Sequence, residues 1–217
     1  MTSRQLSSAR AAHRATLLVG VLIVALHGLK PEIDPSWRFI SEYAIGRYGW
    51  LMSVAFVTFG IAHLGLLAGM RRYLSGSWAG RLGQAALIVS AAGLMVAGIF
   101  TTDAVTTDPG LATMSGRLHN IGGGMGLAMP LAVACVTWQL LKHPRWQQAR
   151  HALLISAALS IVGTVVSVAA LGVLLSRSGG TFGPEVPVGW PNRFEFAAYG
   201  VWFLTVARHS ILVQEER

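Results

Sequence analysis

The chain has 217 residues, of which 53% are hydrophobic and 12% charged, and its formal net charge is +8 at neutral pH. An ordinary soluble domain carries about a quarter of its residues as charges, so this composition excludes that class and makes a bilayer the expected solvent. The single cysteine, Cys135, lies in an apolar stretch, which excludes a disulfide framework and a cysteine-based zinc site.

Six long uncharged runs follow one another, over 14–29, 48–70, 82–100, 118–141, 152–175 and 196–207. The first five have about the 17 to 25 residues that cross a hydrocarbon core of roughly 30 Å, and the sixth reaches that length with 192–194 and 209–213. The opening run follows Arg4, Arg10 and Arg14 and resembles a signal peptide in this respect. Its end reads LHGLKP, without a small-residue cleavage site, so it is expected to be retained as a helix. The predicted fold class is all-α, a polytopic membrane protein built as a six-transmembrane-helix bundle. Its expected parts are a flexible basic segment over 1–13, one six-helix domain over 14–213 and a short tail over 214–217. No repeat and no separate soluble domain is visible.

Lys and Arg divide unevenly between the two sides of such a bundle. The N-terminus, the second and fourth connections and the C-terminus hold eleven of the 17, while Lys30, Arg38, Arg47, Arg117, Arg177 and Arg193 fall on the other side. Positive residues are retained in the cytoplasm, so both termini are expected to be cytoplasmic, in a multi-pass protein of the cell membrane. Seven of the nine acidic residues lie on the opposite side, and only Glu215 and Glu216 accompany the termini. The high net charge is therefore a topology signal with an attraction to anionic headgroups, and it does not imply nucleic-acid binding.

Between the spans, the cytoplasmic connections are short, so spans two and three, and four and five, should be antiparallel neighbours. The outer connections are longer. Pro35 and Ser36 look like the start of a helix running through Trp37, Tyr43 and Tyr48 into the second span, with Ser36 as its cap and Arg38 and Glu42 one turn apart. The third connection is rich in Thr, and Ser115 is the expected cap of the fourth span. The fifth, over 176–192, is rich in Gly and Pro, and with Phe182 and Trp190 it could lie on the membrane or cover a cavity. Gly122, Gly123, Gly124 and Gly126 do not follow a strand, so they read as close helix packing rather than a nucleotide fingerprint, as do Gly65 and Gly69.

Ionisable groups at membrane depth cost at least about 2.5 kcal/mol and usually face protein or a water-filled cavity. Glu42, Asp103, His119, Arg193 and Glu195 all fall where a helix meets the outer interface. Asp103 closes the third span and His119 opens the fourth, so an Asp–His pair is expected, with Glu42 as a second acid or base. Arg193 could hold a phosphate or carboxylate headgroup or neutralise Glu195 and Glu42. The same residues, with Arg38, equally suit an interfacial ion-pair network that fixes helix order. Ser41, His119 and Asp103 spell a hydrolase triad, but no Gly-x-Ser-x-Gly elbow accompanies them. His27, Asp103 and His119 include no metal-binding pair at helical spacing, so no metal centre is expected. His63, roughly 21 Å below Gly49 along its helix, reads as a packed neutral imidazole, since no second histidine matches its depth for a haem. The sequence assigns no cofactor.

An ensemble of short motifs resembles a bacterial integral membrane family catalogued as domain of unknown function 998. They are Ser41-Glu42-Tyr43 with Gly46 and Gly49-Trp50-Leu51-Met52, then Gly98-Ile99-Phe100 with Thr102-Asp103, Gly116-Arg117-Leu118-His119, and Gly189 with Arg193 before Trp202. The resemblance implies the architecture and candidate positions without a reaction. That family has a Pro-Thr-Asp-Pro turn where this chain reads Thr101-Thr102-Asp103-Ala104, and Thr107-Asp108-Pro109 lies close by, so Asp108 rivals Asp103 as the pocket acid.

Two functions fit. One is a membrane-embedded acid/base enzyme acting on a lipid or isoprenoid-like substrate, with Glu42, Asp103 and His119 as catalytic candidates and Ser41, Tyr43, Trp50, Arg193 and Glu195 around the substrate or headgroup. The other is a non-enzymatic lipid-binding, transport or sensing protein in which this cluster is structural. The absence of Asp, Glu, Lys and Arg from the middles of the spans argues against an ion-driven carrier with a midplane relay. The partner in either case is a membrane lipid or hydrophobic small molecule. The charge distribution makes a direct prediction: a reporter fused after residue 217 should read cytoplasmic, and an external signal would invert the topology.

Overall fold

A bilayer core offers no water to backbone N–H and C=O groups, so a spanning segment must satisfy them internally, as a helix does. The computed structural model describes residues 3–74 and 76–215 and contains no strand among the described residues. Its helices are α1 (Ser3–Leu29), α2 (Gly49–Leu74), α3 (Trp78–Ile99), α4 (Met114–Met125), α5 (Met129–Leu141), α6 (Arg150–Arg177) and α7 (Gly189–Glu215). A 3₁₀ turn over Gly126–Ala128 joins α4 to α5, and the pair forms the fourth of six spans long and apolar enough to cross a membrane. The chain is a six-helix multi-pass membrane protein.

The spans close into a ring, in which α1 packs on α2, α2 on α3, α3 on α4 and α5, α6 on α7, and α7 back on α1. The weak joint is between the fourth and fifth spans. α5 meets α6 near their short connection, whereas α4 packs on α3 and shares no comparable face with α6. The expected antiparallel pairing of these two spans thus holds over half their length. One end of the bundle carries the termini and short connections (the terminal end), and the other carries the three long connections (the loop end). Phe59, Tyr199, Trp202 and Phe203 fill the centre, and Tyr73 and Trp146 fill the terminal end.

Small residues set the closest approach. A Cβ on Gly69 would lie 3.0 Å from that of Ala9, and one on Gly65 would lie 3.4 Å from that of Ala12, so α1 and α2 meet almost backbone to backbone. This contact also explains a correction at the N-terminus. The basic segment expected to be flexible is helical from Ser3, because Ala9 and Ala12 are buried against α2 and Arg10 pairs with Glu215 at 2.7 Å. α7 likewise continues as helix to Glu215. Glu216 and Arg217, counted above with the cytoplasmic side, lie outside the described residues.

The first connection also departs from expectation. A continuous helix into the second span is replaced by turns and a 3₁₀ helix over Ile40–Ala44, because Gly46 (φ 72°) and Tyr48 (φ 63°) adopt left-handed backbone just before Gly49. Ser36 is a donor here and caps nothing. Its hydroxyl and N–H reach Asp34 Oδ1 at 2.7 and 2.8 Å, and these bonds hold that exposed carboxyl below its usual range. The cap of α4 is Thr113, whose Oγ1 accepts from Gly116 N–H at 3.0 Å, while Ser115 donates to the Thr101 carbonyl.

The α1–α2 contact predicts that Gly69→Leu, which forces the two backbones apart, costs about 1 to 3 kcal/mol, as overpacking typically does. Gly20→Leu, with open space around the new side chain, should leave the thermal unfolding midpoint close to that of the parent protein.

Candidate functional site

The loop end is assembled around buried charges that bond to backbone. Arg193, 7% exposed near the start of α7, donates Nε–H to His27 Nε2 at 2.9 Å and Nη2–H to the Tyr43 hydroxyl at 3.1 Å. Its Nη1 donates to the carbonyls of Pro35 (3.2 Å), Arg38 (2.6 Å) and Gly189 (3.1 Å). A guanidinium cannot accept, so His27 Nε2 must, and His27 correspondingly gives Nδ1–H to the Ile23 carbonyl at 2.8 Å. Arg193 therefore joins α7, α1 and the first connection, and it pairs with neither Glu42 nor Glu195. Lys30 acts similarly from the residue after α1: it is 1% exposed, and its Nζ donates to the carbonyls of Tyr43 and Ile45.

Glu42 is the anionic counterpart. It is 1% exposed and takes Arg38 Nε–H at 2.8 Å, Phe39 N–H at 2.9 Å and Val105 N–H at 2.8 Å, with Arg38 Nη2 at 2.7 Å completing the ion pair. The carboxylate thus closes its own 3₁₀ helix and fastens the first connection to the third. The expected Arg38–Glu42 pair is present, and the wider ion-pair network through Arg193 and Glu195 is not.

The expected Asp103–His119 pair does not form, because each has another partner. Asp103 accepts from Thr113 through both its N–H and its hydroxyl, at 2.8 Å each, and lies against the first turn of α4, where negative charge is favoured. A Cβ on Gly116 would lie 2.1 Å from Asp103 Oδ2, so the glycine makes room for this contact. His119 gives Nδ1–H to the carbonyls of Ala97 and Phe100, both at 2.9 Å, and so satisfies the end of α3. No Ser41–His119–Asp103 relay results. Asp108 caps a separate exposed turn through Gly110 N–H, so of these two rivals Asp103 is the one that lines the cavity.

That cavity occupies the gap left between α4 and α6 and has a volume of about 760 Å³. Phe39 and Phe182, in edge contact at 5.8 Å, form its roof, so the Gly/Pro-rich fifth connection covers it. His119, Asn120 and Glu195 line its wall, and the buried pair His63 and Ser90 line its floor. Glu195 has Ser167 and Thr164 of α6 as side-chain partners, and Tyr199 hydrogen-bonds Thr164. The side facing the surrounding lipid is bordered by exposed residues, among them Gly123, Gly124, Leu127 and Val168. The glycines of the fourth span therefore divide. Gly122 packs tightly on Gly93 of α3, as expected, whereas Gly123, Gly124 and Gly126 have open space where a side chain would be.

Among the other sequence candidates, Ser41 lines the cavity and Tyr43 is buried beneath the first connection as a partner of Arg193. Trp50 is 65% exposed and does not line the cavity, so it has no place in a headgroup site there. Arg193 borders a separate apolar groove between α1 and α7. Among the described residues, no group of three His, Cys, Asp or Glu side chains could hold a metal ion. The sequence reading missed Ser90, Asn120 and Ser167, which are ordinary polar residues in apolar runs, and it did not place His63 in a cavity.

Fold and site together define a polytopic α-helical membrane protein with a side-opening cavity beneath a tightly bonded cap. The model of the family described as protein of unknown function DUF998 matches residues 14–209, and the chain belongs to that family. Neither the curated proteins nor the solved structures gave a match.

The bonding pattern separates structural from available groups. Each buried acceptor left without a partner costs about 1 to 3 kcal/mol, so Arg193→Lys, with fewer and differently placed donors, should lower stability by more than about 2 kcal/mol. Glu42→Gln should also lower the thermal midpoint. Glu195→Gln, at the cavity wall, should change it far less in the same unfolding assay.

Proposed function

We propose that the protein binds a lipid or isoprenoid-like molecule in the cavity between α4 and α6, entering from the side of the bundle. The observation that carries this reading is the lack of a packed face between α4 and α6, bordered by exposed glycines and apolar side chains. The volume of about 760 Å³ lies within the range of pockets for small organic ligands. Polar side chains at one wall beside apolar surface suit an amphiphile, whose tail extends through the gap toward lipid. With the termini cytoplasmic, as the charge distribution predicts, the cavity opens toward the outer leaflet of a bacterial cytoplasmic membrane.

A second reading, acid/base chemistry on that molecule, is favoured by one feature. His119 and Glu195 line the same cavity, and the hydrogen bonds of His119 engage only Nδ1. Nε2 is then available to take a proton from a bound substrate. Glu42 and Asp103, held by backbone and Thr113, act in this scheme as supports for the cap.

Native mass spectrometry of gently extracted protein tests the binding reading. Protein should carry a co-purifying hydrophobic molecule, and Gly123→Leu, which places a side chain in open space at the gap, should reduce its occupancy severalfold without lowering the thermal midpoint. An empty parent protein, or unchanged occupancy in the variant, would count against the cavity as the binding site. Glu195→Gln separates the two readings, since retained ligand with lost turnover supports chemistry.

A further inference from the structure

The two buried histidines of the cavity are oriented alike. His119 directs Nδ1 to the Ala97 and Phe100 carbonyls at 2.9 Å, and His63 directs Nδ1 to the Phe59 carbonyl at 2.8 Å. A carbonyl only accepts, so in both rings Nδ1 carries the hydrogen, and a neutral imidazole then presents Nε2 as a bare acceptor. Nε2 of His119 has no partner in the protein, although the side chain is 95% buried by its 5% exposure. Nε2 of His63 has only the Ser90 hydroxyl at 3.5 Å, at the outer limit of a hydrogen bond. The rings lie at successive depths, His119 in edge contact with Phe56 and His63 with Phe59 one turn further along α2. Arg117, exposed at the mouth, is the one Lys or Arg among the residues described as lining the cavity.

An acceptor on a cavity-lining side chain with no donor in the protein, as at His119 Nε2, calls for a donor on the ligand. We infer that the cavity selects a hydroxyl-headed hydrophobic molecule, whose O–H is donated to His119 Nε2, over the same molecule carrying an ether in that place. An ether oxygen only accepts, so it would face the lone pair of Nε2 and leave that nitrogen unsatisfied. This inference rests on the binding reading above and specifies the head of the ligand.

The test uses the full chain in phosphatidylcholine nanodiscs, with radiolabelled geranylgeraniol displaced by unlabelled geranylgeraniol or by its methyl ether at equal mole fraction in the bilayer. The alcohol should displace the label about tenfold more effectively than the ether, a gap typical of one buried hydrogen bond with an unsatisfied partner. In His119→Asn, whose amide N–H replaces Nδ1–H toward the carbonyls but which has no atom at Nε2, the gap should close. In His119→Gln, whose amide oxygen reaches toward the position of Nε2, part of the gap should return. Equal displacement by alcohol and ether in the parent protein, a preference for the ether, or a gap that persists in His119→Asn would overturn the inference and leave hydrophobic binding intact. Absence of saturable binding by either probe, together with an empty cavity by native mass spectrometry, would overturn both.

Discussion

Arg193 is buried where α7, α1 and the first connection meet, and it makes five hydrogen bonds to neutral acceptors. An arginine is effectively always charged, and its planar fork can address several acceptors in fixed directions. Desolvating such a group is tolerable because three backbone carbonyls, an imidazole nitrogen and a phenol oxygen replace its water. The rest of the loop end depends on that replacement. Once the carbonyls of Pro35 and Arg38 are held, the 3₁₀ helix after them is placed, and Glu42 can reach Val105 in the third connection. Lys30 holds the far end of the same 3₁₀ helix through Tyr43 and Ile45. The cap is therefore a set of backbone segments bonded to buried side-chain charges, and it covers a bundle whose fourth and fifth spans meet through α5 and not α4.

This arrangement divides labour between groups that looked alike in sequence. Glu42, Asp103 and Arg193 have their bonding capacity directed to the chain itself, which gives the cavity a fixed roof. His119 bridges the two roles, since one ring nitrogen completes the end of α3 and the other is left toward the cavity. Glu195 and Asn120 stand at the wall without holding the cap. On the binding reading, a ligand would enter through the loosely joined wall and leave the hydrogen bonds of the cap in place.

Much of the fold was legible because its causes are periodic or compositional. The six spans follow from apolar length, close packing on the second span from Gly65 and Gly69, although not that α1 is the partner, and the Arg38–Glu42 pair from one helical turn of spacing. Other features had no sequence signal. Lys30 read as a charge of the outer connections and Arg193 as a partner for a headgroup or for Glu42 and Glu195, because sequence shows that a residue is charged and not that distant carbonyls will surround it. Asp103 and His119 were expected to pair because one closes a span and the other opens the next, but position along the chain does not set side-chain direction, and nearer partners won. The run of glycines in the fourth span gave one composition for two purposes. Gly122 faces α3, while its neighbours, one helical step away, face open space. The unflanked beginning of α1 was misread because charge and chain end suggested solvent, whereas small residues at 9 and 12 were already part of its packed face.

The weak joint gives one more property to the bundle. The apolar run of α6 over 152–175 is about 36 Å long at helical rise, above a hydrocarbon thickness of roughly 30 Å. An over-long span relieves such mismatch by tilting. α6 is packed on α7 but has no comparable face toward α4, so a tilt of α6 meets least resistance on that side. A tilt that followed bilayer thickness would change the width of the gap, and the lipid around the protein would then bear on the entrance to the cavity as well as fill the space outside it.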